Sequence, residues 1–328
     1  MKYKILAALL CFAFPAFSQD CNTALLAKKT GSWKAGQQGF IQNVLGPDLA
    51  KEKLVLANIH KMMNSHYDPT GCQVSYSTVY GKNIHAGEQW TADPYHYAMY
   101  ILPYLCDRKS TDPSKYTVAV SSATNVDITA NVIFWLDNLY AANIPADDFR
   151  GYLKLKQRPQ KQDDAWFMGE EIVGDYGMPS EIRETRWLIT YDDALPFYYV
   201  SRKEYLLIQK KRLEKDLKDS PGDKAFTNKF LNNVMNYLNR SEAELSEPAI
   251  SMWNEEERFE KFVAEGTKGS FIAVKPNLSY FHKNLPKSSP QFFTVVYKIS
   301  AGDAVFEENI ANIKKAIDLT VLKNMLGK

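Results

Sequence analysis

Beyond residue 18, no apolar run in this chain is long enough to cross a membrane. The apolar residues instead recur in two rhythms, one helical and one alternating, which predict an α+β fold. Asp48 can cap a helix carried by Leu49, Leu54, Leu56, Ile59, Met62 and Met63 and ending near His66, before the turn Asp68-Pro69-Thr70-Gly71. Residues 73–80, 95–105, 116–120 and 126–135 are rich in β-branched and aromatic side chains and read as strands, the second interrupted by Pro103. One helix followed by four strands predicts an antiparallel sheet wrapped on a helix, whereas residues 19–47 read as irregular.

The second half repeats the mixture. Residues 166–173 and 184–191 read as strands, and Asp192-Asp193-Ala194 turns the chain into Pro196 to Val200. Ser201-Arg202-Lys203-Glu204 is a capping box that starts a helix through Leu206, Leu213 and Leu217. Phe226, Phe230, Val234, Tyr237 and Leu238 mark the apolar face of a second helix over 224–239. Ser241 to Glu244 repeats the capping pattern, and a short helix is expected over 255–265. Strands at 271–274 and 292–299 and a closing helix over 304–325 complete the pattern. Residues 154–164 hold Leu155 as their one aliphatic side chain and read as a linker or a long hairpin tip. The expected organisation is therefore a signal peptide over 1–18, an N-terminal α+β region over 19–153 and a C-terminal α+β region over 154–328. Mainly antiparallel sheets packed with amphipathic helices would form one or two lobes.

Lys2 and Lys4 precede the apolar run Ile5 to Phe17, and Ala16-Phe17-Ser18 offers a small-x-small cleavage site. This pattern predicts a signal peptide cleaved after Ser18 and a mature chain in the periplasm or outside the cell. Without Lys2 and Lys4, 38 of the 40 basic residues face 38 acidic ones. That balance argues against nucleic acid as a partner. Of the four cysteines, Cys11 would leave with the signal, and Cys21, Cys72 and Cys106 would meet an oxidising compartment. The expected bridge is Cys72 to Cys106; Cys21 with either of them is the alternative.

Candidate chemistry is sparse. Ile84-His85-Ala86-Gly87-Glu88-Gln89-Trp90 resembles the histidine-x-x-glutamate motif of zinc carboxypeptidases. The resemblance implies His85 and Glu88 as two zinc ligands of a hydrolase, with a third histidine far downstream. Beyond His96 the remaining candidate is His282. The family's substrate-binding segment and alternating α/β pattern are missing. The acidic pairs Asp147-Asp148, Asp163-Asp164, Glu170-Glu171 and Asp192-Asp193 suit solvated turns and strand edges, because neighbours on a strand point to opposite faces. Trp33, Trp90 and Trp166 sit in polar contexts and are the aromatic candidates for a binding platform. The expectation is an exported, non-catalytic binding or interaction protein of a bacterial envelope, with no cofactor. Its partner would be an envelope protein, a peptide or a glycan. The alternatives are a zinc-dependent hydrolase and an envelope-assembly component.

Overall fold

The computed structural model describes residues 21–81, 90, 92–107, 109–110, 112, 115–132, 152–174, 181–219, 222, 224–253 and 258–328. The expected signal peptide and its cleavage site lie outside the described residues, as do His85, Glu88 and the Asp147-Asp148 pair. In chain order the first elements are α1 (Thr23–Ala27), β1 (Ser32–Ala35), β2 (Phe40–Gln42), α2 (Gly46–His66), β3 (Cys72–Gly81) and β4 (Tyr95–Cys106). There follow β5 (Tyr116–Val118), β6 (Asn125–Ala130), β7 (Leu153–Leu155), β8 (Gln160–Gln162), β9 (Ala165–Gly174), β10 (Ile182–Ile189) and β11 (Phe197–Tyr199). The last third holds α3 (Arg202–Asp219), α4 (Lys224–Leu238), α5 (Glu242–Ser246), β12 (Ile250–Met252), β13 (Ser270–Pro276), β14 (Phe293–Ser300), α6 (Ala304–Ala316) and α7 (Leu319–Met325). The fold is α+β with mostly antiparallel sheets.

Among the described residues, ten strands form a large sheet in the order β1-β3-β4-β6-β14-β10-β9-β8, with β2 also on β3 and β5 on β4. Among the described strands, only β1 and β2 run parallel to their neighbour. A small antiparallel sheet has the order β11-β13-β12, with β7 on β13. The expected division at 153/154 falls within β7, and the large sheet draws strands from both sides of it.

Three apolar cores set the layering. In the first, Leu56, Ile59 and Met63 of α2, with Ile310, Ile313 and Leu322 of α6 and α7, pack on Tyr95, Tyr97, Phe293 and Val295 of the large sheet. The second lies between the sheets, where Leu188 and Met168 meet Leu153, Leu155, Ile272 and Val274. The third joins Tyr152, Phe271 and Ala273 to Tyr205, Leu206 and Leu213 of α3 and to Phe230 and Val234 of α4. Alternation along β13 explains the arrangement: Ile272 and Val274 face one core, and Phe271 and Ala273 face the other. A strand covered on both faces reads as an unbroken apolar run.

Several expectations need correction. The disulfide joins Cys21 to Cys106, with 5.6 Å between their Cα atoms, and Cys72 is a buried free thiol. Cys72 pairs in register with Pro103, so Cys106 lies three residues beyond it, roughly 10 Å along the strand. α1 packs on β4 and brings Cys21 there instead. Gly71 makes that approach possible: its φ is +72°, and a Cβ would stand 2.5 Å from the Ala27 carbonyl oxygen. β4 is not interrupted at Pro103; it changes partner there, with Tyr104 opposite Val118 of β5. Residues 19–47 contain α1, β1 and β2 rather than irregular chain alone. The closing helix is two helices, because the Asp318 carboxylate accepts from the N–H groups of Thr320 and Val321 at 2.9 and 3.1 Å and starts α7 afresh. Residues 258–265 are not helical. The Asn233 amide donates to the carbonyls of Phe259 and Glu260 at 3.0 and 2.7 Å, holding that segment open against α4.

Candidate functional site

The second face of the large sheet carries charge. Along β10, Glu184 and Arg186 point away from the helices, while Thr185 and Trp187 point toward them. The Arg186 guanidinium pairs with Glu184 and, at 3.1 Å, with Glu171 of β9. Glu171 also holds Lys156, and Glu184 holds Lys298 of β14 at 3.1 Å. Lys156, Glu171, Arg186, Glu184 and Lys298 thus form one ionic chain across neighbouring strands. The Glu184 and Arg186 side chains are only 4% and 12% exposed. A buried pair of this kind contributes little net stability, but removing one partner strands the other. Burial pulls the Arg186 guanidinium below its ordinary value, and does the same to the Lys156 ammonium, where Arg186 adds to the effect. On β6, burial pushes Asp127 up to about 6; Lys298 opposes this, Glu184 reinforces it, and a 2.6 Å hydrogen bond from the Asn125 amide opposes it.

Gly169 shapes the space beside this chain. It sits where the β9–β10 register slips between Arg186 and Trp187, at φ +126°. A Cβ there would stand 2.7 Å from the Gln157 side chain, so glycine lets residues 156–157 lie directly on β9. Lys156 and Gln157 therefore line two adjoining spaces. The inner one is a small cleft bounded by Met168, Gly169, Glu171, Glu184 and Arg186. The outer one is an open groove of about 670 Å³, bounded by Trp253, Gly266, Thr267, Gly269 and Ser270. A volume of this order falls in the range of small-molecule sites.

The groove wall is rigidly built. The Trp253 indole N–H donates to the Ser270 carbonyl at 3.1 Å, Phe271 meets the ring edge-on at 5.6 Å, and the Lys154 ammonium lies 4.3 Å from the ring centroid. Lys154 is itself buried in β7, so the segment read as a linker begins as a core strand. At the rim, Arg158 pairs with Glu265 at 2.7 Å and lies over Tyr199 at 4.5 Å, tying the two sides together.

The three tryptophans expected as a platform lie in different settings. Trp33 packs half-buried on the first core, edge-on to His60, Tyr67 and Tyr76. Trp90 tilts against Phe281 at 5.8 Å, and Trp166 donates to the Thr190 hydroxyl at 3.1 Å; both pack on the core between the sheets. His60 stacks on Tyr76 and shares a 2.9 Å hydrogen bond with Tyr97, and burial lowers its pKa. His282 stacks on Tyr191 at 4.5 Å. Among the described residues, no three His, Cys, Asp or Glu side chains are placed to hold a metal ion, and no helix is long and apolar enough to cross a membrane. The Glu170-Glu171 pair splits across the sheet: Glu171 joins Arg186, and Glu170 accepts from the Thr185 hydroxyl at 3.1 Å. Asp163-Asp164 forms the two-residue link between β8 and β9.

Sequence reasoning missed Lys156, Gln157, Glu184, Arg186 and Trp253, and it read Glu171 as part of a solvated acidic pair. One signal was available, the charged alternation Glu184-Thr185-Arg186 inside a strand bounded by Ile182 and Leu188. Such a pattern marks a strand with a polar face. No protein-family model matches the chain, and no curated protein or solved structure is significantly similar to it.

Proposed function

We propose that this chain is an exported periplasmic or secreted protein that binds its ligand without catalysis in the groove where the β7–β8 connection faces Trp253 and the turn before β13. The carrying observation is the groove itself, a space of about 670 Å³ between Lys156-Gln157 and the 266–270 turn, walled by a fixed indole. Sites at the junction of two packed layers favour ligand capture because both layers hold their side chains still. Export rests on the sequence of residues 1–18 and fits the Cys21–Cys106 disulfide. Two measurements test the reading. Amino-terminal sequencing of the processed protein should begin at Gln19. A thermal-shift screen with envelope-derived peptides and glycans should yield a ligand whose affinity falls in Gln157→Ala, whereas a ligand indifferent to every groove substitution contradicts the assignment.

The competing reading is a zinc-dependent hydrolase using His85 and Glu88. It draws support from the buried carboxyl groups of Glu52 and Asp93, which lie near the two ends of the segment carrying those residues. Stoichiometric zinc in purified protein, lost in His85→Ala, would replace the binding reading with this one.

A further inference from the structure

Resting on the groove as the ligand site, we infer that its ligand is a neutral saccharide, stacked on Trp253 and hydrogen-bonded by Gln157, Thr267 and Ser270. The inference follows from which groups in the groove are already engaged. Lys156, the charged side chain that lines the groove, is already paired with Glu171, which Arg186 shares. At the rim Arg158 and Glu265 are paired as well. A charged ligand would lose its hydration in a groove whose one charged lining residue among the described residues, Lys156, is already paired.

The main chain is engaged as well. The Trp253 N–H donates to the Gly269 carbonyl and the Ser270 N–H to the Thr267 carbonyl, each at 3.0 Å. An extended peptide binds by adding to free backbone groups, and these two donors are not free. The hydroxyl protons are directed inward too: Thr267 Oγ1 donates to the Ala264 carbonyl and Ser270 Oγ to the Thr267 carbonyl, both at 2.7 Å. What faces the groove is therefore a set of lone pairs on two hydroxyls, together with the Gln157 amide, which has no hydrogen-bond partner among the described residues. A hydroxyl with its own proton engaged accepts from a ligand, and an amide both donates and accepts.

The remaining surface is aromatic carbon. With its N–H held by Ser270, the Trp253 indole lines the groove with the ring surface that Lys154 and Phe271 leave uncovered. Acceptors, one amide and a flat apolar ring together match a molecule with many hydroxyl donors and a C–H face. A saccharide has both. Gly266 and Gly269, at φ +81° and +80°, keep the opposite lip low. At Gly266 a Cβ would meet nothing within 4 Å, leaving room for a ring.

The test is calorimetric titration of the processed protein with three matched sets: neutral hexose and N-acetylhexosamine oligosaccharides, their uronic-acid counterparts, and short peptides. The expected result is saturable binding of a neutral oligosaccharide, weakened ~3–10-fold in Gln157→Ala through loss of a hydrogen bond. Trp253→Ala should weaken it at least as much. Trp253→Phe, which retains a ring, should recover part of the affinity and guards against misfolding of the alanine variant. Binding of a peptide or an acidic saccharide that is lost in Gln157→Ala, with no neutral oligosaccharide bound, overturns the saccharide and keeps the groove. Loss of no ligand's affinity in any of the three variants overturns the groove as well.

Discussion

The large sheet has two unlike faces made from the same strands. Toward α2, α6 and α7 it presents Tyr95, Tyr97, Phe293 and Val295, all fully buried among aliphatic side chains. On the other side, β10 presents Glu184 and Arg186, and β9 and β14 answer with Glu171 and Lys298. Period-two alternation makes both faces at once, so a shift of one residue in register would exchange them. The comparison separates two jobs. The helix-covered face supplies cohesion through apolar burial. The other face divides its length: Leu188 and Met168 pack on the small sheet, and beside them the ionic chain borders the open space lined by Lys156, Gln157 and Trp253.

The contrast can be broken from either side. Glu184→Gln should have the largest effect, costing about 3–5 kcal/mol, because the nearly buried Arg186 would lose its closest carboxylate and keep only Glu171. Denaturant unfolding measures it, and a loss well under 1 kcal/mol would show the chain of charges to be loosely hydrated. On the opposite face, Leu56→Ala should cost about 2–5 kcal/mol through the cavity it leaves. It should do so without altering ligand affinity per folded molecule, whereas Gln157→Ala should alter affinity and leave stability nearly unchanged.

A third test uses acidity. Burial, reinforced by Asp93, pushes the Glu52 carboxyl on α2 up to about 9 from an ordinary 4.5, although the Gly81 N–H partly opposes the shift. The folded protein therefore keeps a proton that the unfolded chain releases, and the stability tied to it is complete below pH 4.5. Between pH 4.5 and 9 that contribution falls by ~1.4 kcal/mol per pH unit. Melting followed across pH 5 to 8 in wild type and in Glu52→Gln should show this slope in the first and its loss in the second. Equal slopes would mean that Glu52 is ionised in the folded state. The smallest effect is expected at α3, where Ser201→Ala removes the hydroxyl that accepts from the Glu204 N–H at 3.1 Å. Its cost should be about 0.5–2 kcal/mol, read by thermal unfolding, and an unchanged melting temperature would discard Ser201 as a working cap.

What could be read in advance follows from locality. α2, α3 and α4 announce themselves by apolar spacing and turn residues, all within one stretch of chain. The Ser201 box was half legible: the serine caps as expected, but the Glu204 carboxylate turns instead to Lys275 at 2.6 Å, a partner 71 residues away. β13 and β14 were legible as apolar runs, although their different layers were not. β7 escaped notice because Lys154 reads as a solvated residue, whereas in the fold its ammonium lies over the Trp253 and Phe271 rings. Cys21 and Cys106, 85 residues apart, meet because α1 docks on β4, a contact that no local pattern encodes. The groove was illegible for the same reason. Lys156 comes from a segment about a hundred residues before Trp253 and the 266–270 turn, and topology alone brings it to them.

Hydrogen exchange of the processed protein with and without a saturating neutral oligosaccharide tests the groove most directly. The amides of residues 153–157 and 266–270 should slow on binding, with α2 and α6 unchanged. Slowing confined to the helix-covered face, with 153–157 and 266–270 unaffected, would contradict the assignment.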